Sequence, residues 1–489
     1  MATTRHFAVR ALLLCALAAT ALGASQRSDA EFHRFLDRMR AAAGPVWASH
    51  FVSISRLEVN GTTTVVSSDG QGLPFVLRRC DGQLCSGTYF DGTRLYAVDM
   101  NDVALPESGR PEPYLRSLRL IASLGFLGPS FESGGGRLID DGSASLDGAI
   151  YRTLLMADRD AIPLRLYVDP QTALLRYARD LHGEDTFEYR DYRRIDGFEL
   201  PFVILHNGTL LERYDDRTAV AAAFHPPQGP QPSFAGPPAA IATDPAHVTP
   251  VFDCALGGIA VKCLLDSGNS GLSVSSELAA RLDAPVIGTF QVAGGLGGYS
   301  TQVVRAGPLQ VGNARFPEAN YVVLSDVSHY GYDVVLGADV LAETIVELNP
   351  RSHTLRFDAA PANWPISLPL SFQHFVPVVS VQLGSVDAKL AIDTGDESNI
   401  NLSYDFYEKH PTLFTATERR LVAGVGGSSV QLIGQIPDVT IGTYKTGPQA
   451  IGTTQTLQGT AFGHLGAAFL SQFDVQLDYM AAELHLLPL

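Results

Sequence analysis

The sequence predicts a mainly β protein: two tandem β lobes of one small repeated unit, preceded by an α+β domain built on a curved antiparallel sheet. Three observations predict it. Residues 248–489 repeat themselves at spacings of 127 to 130. Eight prolines between Pro226 and Pro250 break the chain just before that repeat. Upstream of the break, short apolar and β-branched runs are punctuated by Asn60-Gly61 and Asp91-Gly92, dipeptides that favour tight hairpins.

Composition bounds the function. Of 489 residues, 35 are Lys or Arg and 51 are Asp or Glu, a net charge of −16. So acidic a chain is not built to neutralise phosphates, and nucleic acid is not an expected partner. No apolar run reaches the length of a membrane span. Residues 1–23 read as a signal peptide: Arg5 and Arg10, an apolar stretch over Ala11–Leu22, then small residues. The protein is therefore expected to be exported, periplasmic or secreted. The four cysteines beyond Cys15 are expected to pair as Cys80–Cys85 and Cys254–Cys263. The second pair brackets the Gly257-Gly258 turn, and a hairpin there is expected to set the two sulfurs directly opposite one another.

The first domain is expected over residues 27–222. Phe32, Phe35, Leu36 and Met39 recur at helical spacing, so an amphipathic helix over Glu31–Ala42 opens it. Strands follow at Phe51–Val59, Thr62–Ser67, Ile162–Pro170 and Thr186–Tyr192. The runs "PLRLYVDPQT" and "FEYRDYRRIDGFELP" resemble the lipoprotein-sorting LolA/LolB-like fold, which implies a curved sheet wrapped around that helix. Residues 223–247, rich in proline, are expected to be an extended linker that joins no sheet.

The repeat carries the chemistry. Leu265-Asp266-Ser267-Gly268 matches Ile392-Asp393-Thr394-Gly395 at offset 127. Val292-Ala293-Gly294 matches Val422-Ala423-Gly424 at 130, and Leu336-Gly337-Ala338 matches Leu465-Gly466-Ala467 at 129. One Asp-Ser/Thr-Gly triplet is a common turn. Two at equivalent places, each after an apolar strand, point to paired carboxylates. Two carboxylates a few ångströms apart cannot both ionise, so they hold one proton between them. Such a pair can activate a water with one member and polarise a carbonyl with the other.

Each half, with its Asp loop, glycine-rich hairpin and apolar-apolar-Gly strand, resembles a retropepsin-like lobe. Together they are similar to a tandem two-lobe aspartic protease of the pepsin-like kind, with lobes at 248–361 and 366–489. The resemblance implies Asp266 and Asp393 as an intramolecular catalytic dyad, with Ser267, Gly268, Thr394 and Gly395 supporting the loops. It implies flaps at Gly294, Gly295, Gly297 and Gly298 and at Gly424, Gly426 and Gly427, closing over a peptide or unfolded protein. It implies no metal or organic cofactor, and a monomer, since one chain supplies both carboxylates. His464 stands where this family has an apolar residue. Asn269 and Asp396 stand where it has a small one. Asp474 and Asp478 alternate with apolar residues and are expected to face solvent. The alternative functions are a peptide- or protein-binding module on a degenerate protease scaffold and an envelope lipid or lipoprotein carrier. The alternative assembly pairs each lobe with its copy in a second chain.

Overall fold

The computed structural model describes residues 30–44, 52–59, 62–69, 74–107, 113–158, 162–220, 225–294, 297–325, 327–424, 427–454 and 461–489. The signal segment, the Asn60-Gly61 turn, Gly295 and Gly426 lie outside these residues. The chain is mainly β, as its patterning predicts. It divides into two compact units: one takes residues up to 77, 90–93 and 110–225, the other 78–89, 94–109 and 226–489. Segments 78–89 and 94–109, expected in the first domain, thus fold with the C-terminal unit.

In the first unit, strands Thr62–Asp69, Val52–Val59, Thr209–Val220, Phe198–His206, Thr186–Ile195, Leu175–Asp180, Leu164–Val168, Ala149–Ala157 and Arg137–Leu146 lie side by side in that order. The opening helix spans residues 30–43. Its spacing puts Phe35, Leu36 and Met39 on one face, where they are buried with Leu154, Leu166, Tyr189 and Phe202 of the sheet. Burial of each such side chain contributes about 1.5–3 kcal/mol.

The second unit repeats one topology. In its first half, strands run Leu309–Val311, Val251–Leu256, Ile259–Leu265, Val334–Leu336, Leu272–Ser275, Ala319–Leu324, Gly297–Ala306, Val286–Gly294 across the sheet. In its second half the order is Val439–Ile441, Val376–Leu383, Val386–Ile392, Gly463–Leu465, Ile400–Ser403, Gln449–Thr454, Gly427–Ile436, Thr415–Gly424. Position by position these are the same sheet. Each has one parallel contact beside the acidic loop: Leu265 opposite Leu336, and Ile392 opposite Leu465. Strands at the repeats' ends build a third sheet in common, with Val346 opposite Leu477. Asp478, expected at the surface, is buried there; its Oδ1 accepts from the Ala481 backbone N–H at 2.9 Å, which compensates the burial.

Two further expectations are corrected. The proline-rich segment does join sheets: Ser233–Phe234 pairs with Ala314–Arg315 and Ile241–Ala242 with Thr354–Leu355. The prolines flank these dipeptides and leave their N–H groups intact. Both disulfides form, Cys80–Cys85 and Cys254–Cys263, but Cys254 is not opposite Cys263. The two-residue turn at Gly257-Gly258 sets Cys254 against Val261 and Cys263 against Phe252, so the bridge runs diagonally, with Cα atoms 5.8 Å apart. Disulfides form and persist in oxidising environments.

Segment 94–109 is held in the C-terminal unit by polar contacts. Asn101 Nδ2 donates to the Asn320 carbonyl at 3.0 Å and to Asp339 Oδ2 at 2.8 Å. Asn320 returns two bonds, to Asn101 Oδ1 and the Met100 carbonyl, each at 2.8 Å. Asp99 and Asp339 are both buried, and each feels the other's carboxyl. Burial, then the charge of Asp339, lifts the Asp99 carboxyl well above its ordinary range. A carboxyl raised by folding stabilises fully below its unfolded value, and that stability is lost as pH rises through the folded one. Asp99→Asn keeps an oxygen for the N–H groups of Asn101 and Val103, which Asp99 accepts at 2.9 and 2.8 Å, and supplies an N–H to Asp339. We expect it to change stability little near pH 4 and to raise it by about 1 kcal/mol or more at pH 7.5. Urea unfolding at the two pH values measures this.

Candidate active site

The two acidic loops meet inside the C-terminal unit. Each follows a buried strand whose last residues, Leu264-Leu265 and Ile392, anchor it in the core. The strand alongside turns at Gly337 or Gly466. A Cβ at either glycine would collide with loop carbonyls, of Asn269 and Gly271 in one repeat and Ser398 in the other. That is the physical need behind the apolar-apolar-Gly signature. The Asp266 backbone N–H donates to the Leu336 carbonyl at 2.9 Å, and that of Asp393 to Leu465 at 3.0 Å.

The hydroxyl residues then lock loop to loop. Ser267 Oγ donates to the Ile392 carbonyl at 2.7 Å and accepts from the Thr394 N–H at 3.0 Å. Thr394 Oγ1 donates to the Leu265 carbonyl at 2.8 Å and accepts from the Ser267 N–H at 3.0 Å. Both side chains are buried. Ser267→Ala strands one carbonyl and one N–H without partners, so we expect a loss of about 2–4 kcal/mol in urea unfolding. Ser267→Thr, the residue of the opposite loop, should cost far less.

Asp266 and Asp393 sit where the two loops meet, each carboxyl close against the glycine of the opposite loop. A Cβ at Gly268 would lie 2.6 Å from both Asp393 oxygens, and one at Gly395 would lie 2.5 Å from both Asp266 oxygens. Gly268 N–H donates to Asp266 Oδ1 at 2.8 Å. The N–H groups of Gly395 and Asp396 both donate to Asp393 Oδ1, at 3.1 Å each. Burial, and then the charge of Asp393, pushes Asp266 well above the usual carboxylate range. Burial also raises Asp393, against the pull of the nearby His464. Carboxyls raised by burial hold a proton to higher pH than exposed ones do.

The hairpins named as flaps are present as Val286–Gly294 with Gly297–Ala306, and Thr415–Gly424 with Gly427–Ile436. Gly294 stands opposite Gly297, and Gly298 opposite Ala293. Gly424 stands opposite Gly427. Leu421 and Val430, a cross-strand pair, are 69% and 61% exposed, so this hairpin offers apolar surface to solvent.

What the motifs miss is the network behind Asp393. His464 Nε2 and Asp396 Oδ2 are joined by a short hydrogen bond. Asn401 Nδ2 lies 2.9 Å from Asp396 Oδ2, and Ser398 Oγ donates to that oxygen at 2.5 Å. Burial opposes charge on both partners, yet their mutual hydrogen bond wins: Asp396 is held below its ordinary range and His464 above it. Among the described residues, Asp393, Asp396 and His464 bring donor atoms within 4.8 Å of one another. Within this group His464 Nε2 is hydrogen-bonded directly to Asp396. The sequence signal was the departure of residues 396 and 464 from the family pattern at the same time.

No curated protein matches the chain. Residues 252–340, which take in Asp266, the first hairpin and the Leu336–Val340 turn, match the family model described as aspartyl protease.

Proposed function

We propose that the protein is an exported aspartic endopeptidase of two lobes, in which Asp266 and Asp393 form one intramolecular dyad that hydrolyses peptide bonds with an activated water. The observation that carries this reading is the reciprocal lock between the loops. Four hydrogen bonds of 2.7–3.0 Å, made by the buried Ser267 and Thr394, hold the loops of two half-buried carboxyls together, an outlay of polar burial that a plain turn does not need. The aspartyl protease match over the first repeat supports the chemistry. The common strand order of the two sheets supports the second repeat as the partner lobe.

The substrate is a peptide or unfolded protein lying extended between the lobes. The hairpins ending at Gly294/Gly297 and Gly424/Gly427 act as flaps: glycine at the tips lets the backbone hinge. The protein works as a monomer, outside the cytosol, where Cys80–Cys85 and Cys254–Cys263 persist. The decisive experiment is cleavage of a denatured protein at mildly acidic pH by the parent, Asp266→Asn and Asp393→Asn. Parent cleavage lost in both variants supports the reading. Equal cleavage by all three sinks it.

A further inference from the structure

We propose that His464 and Asp396 are a positioning pair that settles the dyad's negative charge on Asp393 and its proton on Asp266, giving two like carboxyls fixed and unlike roles. The consequence for turnover rests on the peptidase reading; the charge assignment does not.

The repeat supplies its own control. Parallel pairing sets Val335 beside Leu264 in one half and His464 beside Ala391 in the other, so Val335 and His464 occupy one place in the fold. Asn269 and Asp396 both stand three residues past their aspartate. In the first half that place is uncharged: Asn269 Nδ2 donates to the Gly271 carbonyl at 3.0 Å and to Ser273 Oγ at 3.2 Å. In the second it is a half-buried histidine–carboxylate pair, tied to Asn401 Nδ2 3.1 Å from His464 Nε2. The backbone adds to the asymmetry, since Asp393 Oδ1 accepts two N–H bonds and Asp266 Oδ1 one. Hydrogen bonds to a carboxylate and a nearby cation both favour its ionised form.

The other groups facing this network do not reverse the bias. Tyr332 and Tyr479 feel both dyad carboxylates, and burial keeps their hydroxyls protonated. Glu397 adds a carboxylate on the Asp393 loop, and Asp396 itself opposes charge on Asp393. Of these effects on Asp393, the charge of His464 is the largest after burial.

The roles follow. Water attacks the carbonyl carbon and gives a proton to Asp393. The carbonyl π pair moves to its oxygen, which takes the proton of Asp266. The dyad ends with its single proton on the other member, and no further reactant is needed.

The test uses the full chain with ¹³C-carboxyl-labelled aspartate, together with pH profiles of kcat/KM. In the parent near pH 5.5, Asp393 should resonate as a carboxylate and Asp266 as a carboxylic acid. The double variant Asp396→Asn/His464→Val installs the residues the first half already carries at these places. There the difference between the two resonances should collapse. Persistence of the difference in the double variant, or its reversal in the parent, overturns the proposal.

On activity, His464→Gln should move the acidic limb up by about one pH unit, a tenfold change in proton concentration. Asp396→Asn leaves the cation without its counter-charge and should move that limb down. A merely structural pair would not shift the limb in opposite directions. If the parent cleaves and both profiles overlay its own, the proposal fails and the peptidase reading stands. If the parent does not cleave but the resonances behave as stated, the peptidase reading fails and the charge assignment stands.

Discussion

Asp266→Asn and Asp393→Asn should each lower kcat/KM on denatured protein by at least about a thousandfold, the scale of a lost general acid or base. An amide at 266 cannot release a proton to the carbonyl oxygen, and one at 393 cannot take a proton from water. The fold should survive, and pH provides the check. Both carboxyls are raised by burial. A raised carboxyl adds stability fully below its unfolded value and loses it as pH climbs through its folded value. The parent therefore gives up stability from about pH 4 upward, and Asp266→Asn removes that loss. Asp266→Asn should be inactive yet at least as stable as the parent at pH 7 in thermal unfolding. Inactivity accompanied by lower stability would mean the carboxyl is structural.

Gly395→Ala carries the next largest effect. The added Cβ would sit 2.5 Å from both Asp266 oxygens, closer than real Cβ contacts occur. Asp266 cannot swing away freely, because its Oδ1 is held by the Gly268 N–H at 2.8 Å. Nor can the Gly395 loop retreat while Thr394 is bonded across to Leu265 and Ser267. Displacement of a reacting group by about 1 Å costs on the order of a hundredfold in rate, and overpacking costs about 1–3 kcal/mol. Both should appear together for Gly395→Ala, and for Gly268→Ala by the same geometry against Asp393. Gly447, where an added Cβ would meet nothing within 4 Å, is the control: Gly447→Ala should change neither quantity. Full activity in Gly395→Ala would show that the carboxyls need not be so closely placed.

Much of this is legible in the residues alone. The Asp-Ser/Thr-Gly triplets, their 127-residue spacing and the order of the later anchors are local patterns. A doubled fold keeps them because the same backbone must turn at the same glycines. The cysteine pairs and the opening helix are legible for the same reason, since five- and nine-residue separations and helical spacing are short-range facts. The sliding of Cys254 from opposite to diagonal is not. It turns on which two residues form the turn, and Gly257-Gly258 sets that by a single step of register.

The reach of the chain alone was thus its repeat and its acidic loops; the supporting role of Ser267 and Thr394 came from the family resemblance, and their bonds across the loops from the structure. Tertiary structure decided the charges. His464 meets Asp396 across 68 residues, and Asn101 meets Asp339 across 238. In sequence nothing beside any of these residues names its distant partner. Whether such a group is charged depends on water lost and on partners gained in folding, and neither quantity is written in the residues beside it.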